Sequence, residues 1–256
     1  MMKIIVIDGG AIGSKLVTRL CGYGHQAVAA SPEAGVDTLT GVGLAAALAN
    51  ASVVIDVASP SSVADAATME FFATSTRNLL AAETAEGVGH HVVLSGVAIE
   101  RLQRSGYFRA KSAQEKLIED SAIPYSIVRA TQFFEYLPSL ADLATDGRTV
   151  RFPPVLFQPV AEDDVIAAIG EIAVGSPLNG TVEMAGPEQL LMDEFFRTSL
   201  ATQGDPRTVV TDPHARFFGT KLGERTLLPG ADAVLGETSY GGAPRVAPDA
   251  TATRNR

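Results

Sequence analysis

The stretch KIIVIDGGAIGSKLVTRLC, residues 3–21, decides the fold of this chain. Its first part, Lys3–Ile7, is rich in β-branched residues, which is typical of a parallel strand buried on both faces. A glycine turn over residues 8–13 follows, and from Ser14 to Cys21 the apolar residues recur at helical spacing. A strand, a glycine turn and a helix in this order form the first unit of a dinucleotide-binding fold.

Strand and helix patterns alternate along the chain, as they do in a doubly wound sheet. After the first strand, further strands are predicted at residues 26–30, 52–57, 91–94, 125–128 and 181–184, and helices at 43–49, 63–85, 107–120 and 193–203. The predicted fold class is α/β, a Rossmann-type, mostly parallel sheet with a small C-terminal substrate-binding region. We predict a dinucleotide-binding domain over residues 1–150, a substrate region over 151–243 and a disordered tail over 244–256.

The glycine turn predicts a cofactor contact made by backbone atoms, because small residues let a pyrophosphate approach closely. Gly10 and Gly13 match the second and third glycines of G-x-G-x-x-G, but Asp8 stands at the first. A carboxylate that points inward there repels a pyrophosphate, so a turn without a ligand is the alternative. The predicted cofactor-binding residues are Gly9, Gly10, Ala11, Ile12 and Gly13 in the turn, Ser31 after the second strand, Ala58 and Ser59 after the third, and Lys111.

A second informative stretch, SGVAIERLQRSGYFRAK, spans residues 95–111. Tyr107 and Lys111 share a face of a helix, and an ammonium beside a phenol lowers the phenol pKa from its usual value of about 10. Ser95 ends a strand and could hold a substrate oxygen at the carboxyl edge of the sheet, beside the glycine turn. Ser95, Tyr107 and Lys111 are therefore the candidate catalytic residues, with a surface tyrosine near a surface lysine as the structural alternative.

These two stretches, together with IPYSIVRATQFF at residues 123–134, resemble the short-chain dehydrogenase/reductase superfamily. The resemblance is closest to its atypical, NmrA-like NAD(P)H-binding branch, and it extends over residues 2–235. It implies a Rossmann domain, a small C-terminal substrate region and, in most members, NADP(H). It also implies that Tyr107 is the acid/base, that Lys111 lowers its pKa and binds the ribose, and that Ser95 holds the substrate oxygen.

The end of the second predicted strand bears on the choice of nucleotide. An acidic residue there would bind the ribose hydroxyls of NAD, but the strand ends in Ala30-Ser31-Pro32. This favours NADP(H) over NAD(H), although no lysine or arginine occurs between Arg19 and Arg77. A 2′-phosphate partner would then be Lys15, Arg19 or a more distant residue, with Ser31 donating one hydrogen bond.

Bulky apolar residues follow the fifth predicted strand, at the edge where ligands bind in open sheets. Gln132, Phe133 and Phe134 are therefore the candidate substrate contacts, which favours an apolar or aromatic substrate, with core packing as the alternative. Residues 162–164 are acidic, but they open a predicted helix, where acids suit the helix dipole. No histidine lies near them, so no metal site is predicted.

Composition narrows the possible partners. The net charge of −9, from 20 basic and 29 acidic residues, argues against nucleic acid and anionic membranes as partners. The family resemblance implies a small-molecule substrate. Cys21 is the one cysteine, so no intramolecular disulfide forms. Neither a signal peptide nor a transmembrane pattern is present, and a cytoplasmic location is expected.

Three functional hypotheses follow. The first is an NADP(H)-dependent reductase or dehydrogenase acting on a carbonyl, enone or quinone of a small apolar or aromatic molecule. The second is a non-redox isomerase, cyclase or dehydratase that uses Tyr107 and Ser95 for acid/base work. The third is an NmrA-like regulator that senses a dinucleotide. The complete set of Ser95, Tyr107 and Lys111 argues against the third, and Asp8 keeps the second open.

Overall fold

The structure of the protein is a computed structural model that describes residues 1–8, 10–60 and 65–241. The strands are β1 (Lys3–Ile7), β2 (Gln26–Ala30), β3 (Val53–Asp56), β4 (His90–Gly96), β5 (Tyr125–Ala130), β6 (Thr145–Asp146), β7 (Thr149–Phe152), β8 (Leu156–Phe157), β9 (Gly180–Ala185), β10 (Leu190–Leu191), β11 (Thr208–Thr211), β12 (Arg216–Phe217), β13 (Thr220–Lys221) and β14 (Val234–Leu235). One sheet has the strand order β14-β9-β5-β4-β3-β1-β2, and all of its pairings are parallel. The predicted Rossmann-type α/β fold is confirmed.

Helices cover both faces of this sheet, because alternate residues of each strand point to opposite faces. The helices are α1 (Ala11–Gly22), α2 (Leu44–Leu48), α3 (Asp65–Glu86), α4 (Gly106–Glu119), α5 (Leu137–Leu143), α6 (Glu162–Val174) and α7 (Met192–Thr202). On one face, Val6 and Ile55 pack with α1 and α6. On the other face, Val54 packs with α2 and α3, and Ile127 packs with α3 and α4. The sheet is therefore doubly wound.

The prediction of six strands in this sheet is one strand short. β14 pairs with β9 through Val234 opposite Met184 and Leu235 opposite Ala185. Both β14 residues are exposed, so the segment lacks the buried apolar run by which the other strands are recognised. Gly9, residues 63–64 of the predicted third helix and the predicted tail over 244–256 lie outside the described residues.

The C-terminal region contains a separate aromatic core under small sheets. β7 pairs with β6 and β11, β8 with β10, and β12 with β13. Phe152 stacks on Phe196 with 4.1 Å between ring centroids, and Phe157 and Phe195 complete this core. The chain also returns to the central sheet through α6, β9 and β14, so residues after position 150 contribute to both parts of the molecule.

The glycine turn brings the start of α1 into close contact with the end of β1. A Cβ atom at Gly13 would lie 2.6 Å from the backbone oxygen of Asp8, which is closer than any side chain tolerates. Gly13 therefore sets the distance between strand and helix. Gly22, at the other end of α1, has no neighbour within 4 Å of such an atom.

We expect Gly13→Ala to lower the free energy of unfolding by about 1–3 kcal/mol, because α1 must move away from β1. Gly22→Ala is the matched control in the same helix. It should leave the stability unchanged or raise it by up to about 1 kcal/mol, since alanine is the better helix former. Urea denaturation of both variants measures the difference, and equal stabilities would contradict the close approach at Gly13.

Candidate functional site

The candidate site lies at the carboxyl edge of the sheet, where the ends of parallel strands meet. The glycine turn follows β1, Ser59 follows β3, Ser95 is the penultimate residue of β4, and Gln132 lies just beyond β5. The pairings of β1 with β3, β3 with β4 and β4 with β5 place these segments side by side. The prediction that the glycine turn and Ser95 share this edge is confirmed.

The N-terminus of α1 presents free backbone amides at this edge. Gly10 is the N-cap residue, no side chain of the described residues caps the helix, and its first turn carries no acidic residue. Such a terminus favours an anion. The carboxylate of Asp8 turns toward the same place, because a Cβ at Gly10 would lie 2.8 Å from its Oδ2. Asp8 therefore shares the turn with any pyrophosphate that binds there.

Two buried polar oxygen atoms at this edge have no partner among the residues that the structure describes. The Oγ of Ser95 and the Oε1 of Gln132 are buried and have no hydrogen bond within the described part of the chain. Leaving a buried polar group unpaired costs about 1–3 kcal/mol. The sequence predicted both residues as site residues, and the free oxygen atoms are what a ligand-binding site offers.

Gln158 is a site neighbour that the sequence did not indicate. Its side-chain amide donates to the backbone oxygen of Gly186 at 2.7 Å, and its own backbone oxygen accepts from the hydroxyl of Thr131 at 2.6 Å. Its Oε1 is also buried without a partner among the described residues. Gln158 thus joins the segments that follow β5 and β9. No periodicity or motif around residue 158 could have revealed this role.

Tyr107 lies in the first turn of α4 and is enclosed by aromatic rings. It meets Phe72 and Phe108 edge to face, with centroid distances of 5.8 and 5.4 Å. No hydrogen bond to its hydroxyl occurs among the described residues. Burial raises the pKa of this hydroxyl to about 12, with a smaller contribution from Tyr136. The sequence-based expectation that Lys111 lowers this pKa is therefore wrong in this structure.

Lys111 is directed into the protein interior. Its Nζ donates to the backbone oxygen of Leu94 at 2.8 Å and to the Oε1 of Gln114. The amide of Gln114 in turn donates to Asp56 at 3.0 Å and to Thr76 at 3.2 Å. Gln114 therefore connects the ammonium to a carboxylate at the end of β3. Burial lowers the pKa of Lys111 to about 8, and Asp56 partly opposes this.

Phe72 contacts both members of the Tyr-Lys pair. The Lys111 ammonium lies 4.6 Å from the centroid of the Phe72 ring, and the edge-to-face contact with Tyr107 uses the same ring. A cation above an aromatic face is stabilised by the ring quadrupole. Phe72 belongs to α3, so this contact depends on the packing of α3 against α4. The sequence around residue 107 therefore could not predict it.

Asp56 fixes the loop that follows β3. Its Oδ1 accepts a hydrogen bond from the backbone amide of Ala58 at 3.0 Å. Burial raises the pKa of Asp56, whereas His91 and Lys111 act in the opposite direction. Ala58 is half-buried and Ser59 is exposed. Ala58, one of the two predicted cofactor contacts after β3, is thereby bound to the same network as Lys111.

The predicted substrate residues divide between ligand edge and core. Phe133 packs against the core between the sheet and α1, and it pairs with Val160 in a parallel bridge. Phe134 packs against the C-terminal aromatic core, where its ring meets Tyr240 at 5.2 Å. Neither ring is fully buried, and Gln132 contributes the free oxygen described above. Their contact with a substrate stays a prediction.

The charged residue next to the end of β2 is acidic, not basic. Ser31 is buried, and the 3-10 turn Pro32–Ala34 that follows it carries Glu33. The side chain of Ser31 and the backbone amide of Glu33 hold the pKa of the Glu33 carboxyl below its usual range. A carboxylate therefore lies beside Ser31, although the sequence places it beyond the strand end.

The two basic residues predicted to serve a 2′-phosphate bind other groups. The Nζ of Lys15 lies 2.8 Å from Asp163 and 3.0 Å from Glu162, at the start of α6. The Nε of Arg19 donates to the hydroxyl of Tyr23 at 2.9 Å. Both side chains therefore already have polar partners other than a 2′-phosphate.

Residues 9–150 match the model of the NAD(P)H-binding family, and this match covers more than half of the chain. The protein belongs to the NAD(P)H-binding family. It is also similar to a divinyl chlorophyllide a 8-vinyl-reductase of Cucumis sativus (29% identical over 130 residues) and to the same-named protein of Arabidopsis thaliana (29% over 131 residues). Each alignment covers 46% of this chain and 30% of the chloroplastic relative, so the chain matches less than a third of these relatives' length.

Solved structures with this fold are more distant in sequence. The dTDP-4-dehydrorhamnose reductase of Bacillus anthracis in complex with NADP superposes with a TM-score of 0.69 at 16% identity, covering 85% of this chain and 88% of that one. The enzyme WbmG of Bordetella bronchiseptica in complex with NAD gives 0.69 at 15% identity, covering 94% and 91%. At these identities the likeness shows the fold.

Two further properties concern the described residues only. Within residues 1–8, 10–60 and 65–241, no group of three or more His, Cys, Asp or Glu side chains could hold a metal ion. The helices of the same ranges include none that is long and apolar enough to cross a membrane.

The lowered pKa of Lys111 predicts a pH-dependent stability. Below about pH 8 the ammonium is charged in both states and its burial is fully unfavourable. Between that pH and the unfolded pKa of 10.5, the folded state binds fewer protons than the unfolded state, so stability rises with pH. Relative to Lys111→Met, wild type should gain on the order of 3 kcal/mol of unfolding free energy over this range.

Lys116→Met is the control on the same helix. Lys116 is exposed, and Asp120 holds its pKa above the normal value, so its titration falls above the tested range. Urea denaturation at several pH values between 7 and 10.5 measures all three proteins. Parallel stability curves for wild type and Lys111→Met would contradict a buried ammonium at position 111.

Proposed function

We propose that the protein is a reductase that uses a nicotinamide dinucleotide to reduce a carbonyl, enone or quinone in a small apolar or aromatic molecule. The observation that carries the proposal is Ser95, whose buried hydroxyl has no partner among the described residues at the edge where β1 and β4 end. Membership of the NAD(P)H-binding family supports the cofactor. The relatives named vinyl-reductases support reduction as the type of reaction.

The residues present fit a dinucleotide. The uncapped amides of residues 11–13 suit the pyrophosphate, as an anion at a helix N-terminus. The ammonium of Lys111 donates to Leu94 and Gln114 and lies over the Phe72 ring, so its contact with the ribose stays a prediction. Ala58 and Ser59 follow β3 at the same edge, next to the Asp56 anchor. When bound in reduced form, the nicotinamide supplies the hydride.

The surroundings of β2 support NAD(H) rather than the NADP(H) favoured by the sequence alone. A 2′-hydroxyl suits the neighbouring Ser31 and Glu33, because a carboxylate accepts hydrogen bonds from hydroxyl groups. A 2′-phosphate would meet the Glu33 charge, and the nearest basic candidates, Lys15 and Arg19, are held by other residues. We therefore extend the proposal to a preference for NAD(H).

Substitutions of two acidic residues, Asp8 and Glu33, test the pyrophosphate contact and the ribose contact separately. Asp8→Asn should tighten NADH and NADPH binding by a similar factor, on the order of tenfold, because both share the pyrophosphate. Glu33→Gln should tighten NADPH alone, by a few-fold, since Glu33 is exposed and screened by solvent. Fluorescence titration of each nucleotide against each protein provides the affinities.

Equal effects of Glu33→Gln on both nucleotides would show that Glu33 does not face the 2′ position. If wild type and Asp8→Asn bind neither nucleotide, the redox proposal fails. A non-redox isomerase, cyclase or dehydratase on the same scaffold then takes its place, because it would not need the glycine turn to hold a cofactor.

Tyr107 suits the donation of a proton better than its removal. With a pKa of about 12, its hydroxyl is protonated throughout the neutral range. A protonated phenol can donate to a substrate oxygen as negative charge develops on it, and the phenolate that remains must then be reprotonated from solvent. The free hydroxyl of Ser95 would hold the same substrate oxygen. This protonation state agrees with the reduction proposed above.

We expect Tyr107→Phe to lower turnover on the order of 100-fold or more while the Kd of the dinucleotide changes little, because only the proton donor is removed. The assay follows oxidation of NADH with a panel of carbonyl, enone and quinone substrates. Tyr125→Phe is the control, since Tyr125 begins β5 at the opposite edge of the sheet. Wild-type turnover in Tyr107→Phe would exclude Tyr107 as the acid, and tight nucleotide binding without turnover of any substrate would favour the regulator.

A further inference from the structure

A cleft in the C-terminal region is lined by none of the residues of the carboxyl-edge site. Its volume is about 250 Å³, and its walls come from the end of α5, from β7 and from the hairpin formed by β12 and β13. We call it the arginine cleft. The residues that matter here are Arg151, Arg216, Phe152, Phe217 and Phe218. Guanidinium groups and phenyl rings in one cleft suit a ligand that is both anionic and apolar.

The two arginines are poorly compensated. Arg216 donates to the backbone oxygen of Gly219 at 3.3 Å, and no acidic group within the described residues lies within ion-pair distance of it. Arg151 has Asp212 at 3.9 Å, beyond hydrogen-bond distance. Asp212 itself accepts from the backbone amide of His214 at 2.8 Å. In a chain with a net charge of −9, two such guanidinium groups on one cleft are a local excess of positive charge.

The apolar wall includes a residue held in an unfavourable backbone conformation. Phe218 and Gly219 form the two-residue turn between β12 and β13, with φ values of 46° and 78°. Both central residues of such a turn need positive φ, and a bulky residue there is disfavoured. Phe218 nevertheless remains 38% exposed at the cleft. Residues held in sparsely populated backbone conformations cluster at ligand sites.

The Phe218 ring also connects the cleft to the candidate proton donor. It meets the ring of Phe108 at 5.9 Å, and Phe108 meets Tyr107 at 5.4 Å. An unbroken set of aromatic contacts therefore joins the cleft wall to the first turn of α4. A ligand that fixes Phe218 would contact the same aromatic group that encloses Tyr107.

We propose that the arginine cleft binds a small organic carboxylate with an aromatic body, its carboxylate at Arg151 and Arg216 and its ring against Phe217 and Phe218. Guanidinium groups bind carboxylates through paired hydrogen bonds, and a volume of about 250 Å³ holds one ring with a short side chain. This site is independent of the proposed redox function, because it requires neither a dinucleotide nor turnover.

Calorimetric titration of the full chain with trans-cinnamate tests the proposal, with cinnamamide as the uncharged analogue of the same shape. Cinnamate should bind at least about tenfold more tightly than cinnamamide. Arg216→Gln and Arg151→Gln should each weaken cinnamate binding about tenfold and leave cinnamamide unchanged. Arg148→Gln is the matched control, since Arg148 is exposed, contacts the backbone oxygen of Pro206 and does not line the cleft.

The variant Phe218→Gly tests whether a loss of cinnamate binding can occur without a loss of stability. Glycine relieves the positive φ but loses the ring contact with Phe108, so the variant should stay folded with a stability near that of wild type in urea, while cinnamate binding should weaken several-fold through loss of the ring. Absence of cinnamate binding up to about 10 mM, equal affinities for cinnamate and cinnamamide, or unchanged binding in both arginine variants would each overturn the proposal. Titration without any dinucleotide keeps these outcomes separate from the redox tests.

Discussion

The buried hydrogen bonds of Lys111 are the constraint on which the candidate site depends. Its ammonium joins β4 through Leu94 and, by way of Gln114, reaches Asp56 at the end of β3 and Thr76 in α3. This network holds α4, and with it Tyr107, against β4 and α3, together with the apolar packing of Ile118. An ammonium in the interior is tolerated because carbonyl oxygens and an aromatic ring replace the water it has lost, and removing one of them leaves a charge uncompensated.

Much of the fold follows from local pattern. Buried parallel strands such as β1 and β5 read as short apolar runs, and the helices between them carry one apolar side, so the alternation specifies a doubly wound sheet. The pattern did not predict β14, because its two residues are exposed and form a strand only by pairing with β9. When pairing with a distant segment determines the conformation of a residue, the local sequence pattern does not predict that conformation.

The sequence placed the glycine turn and Ser95 at one edge of the sheet, but it did not give the electrostatics of the candidate site. Spacing places Tyr107 and Lys111 on one helix face, but it does not say that Gln114, one turn further on, takes the ammonium. Phe72 arrives from another helix. The same limit applies to Lys15, whose partners lie on α6, nearly 150 residues away. A pKa depends on burial and on charges brought together by folding, and sequence spacing captures neither.

The late return of the chain to the central sheet has a consequence for its synthesis. β9 covers the outer edge of β5, and the amide of Gly236 donates to Ala185 just beyond β14. A ribosome that has released only the first 150 residues therefore leaves β5, with buried Ile127 and Val128, as an open apolar edge. The nascent protein must keep that edge from pairing with other chains until β9 emerges, so the vulnerable interval is set by the rate of translation through α6.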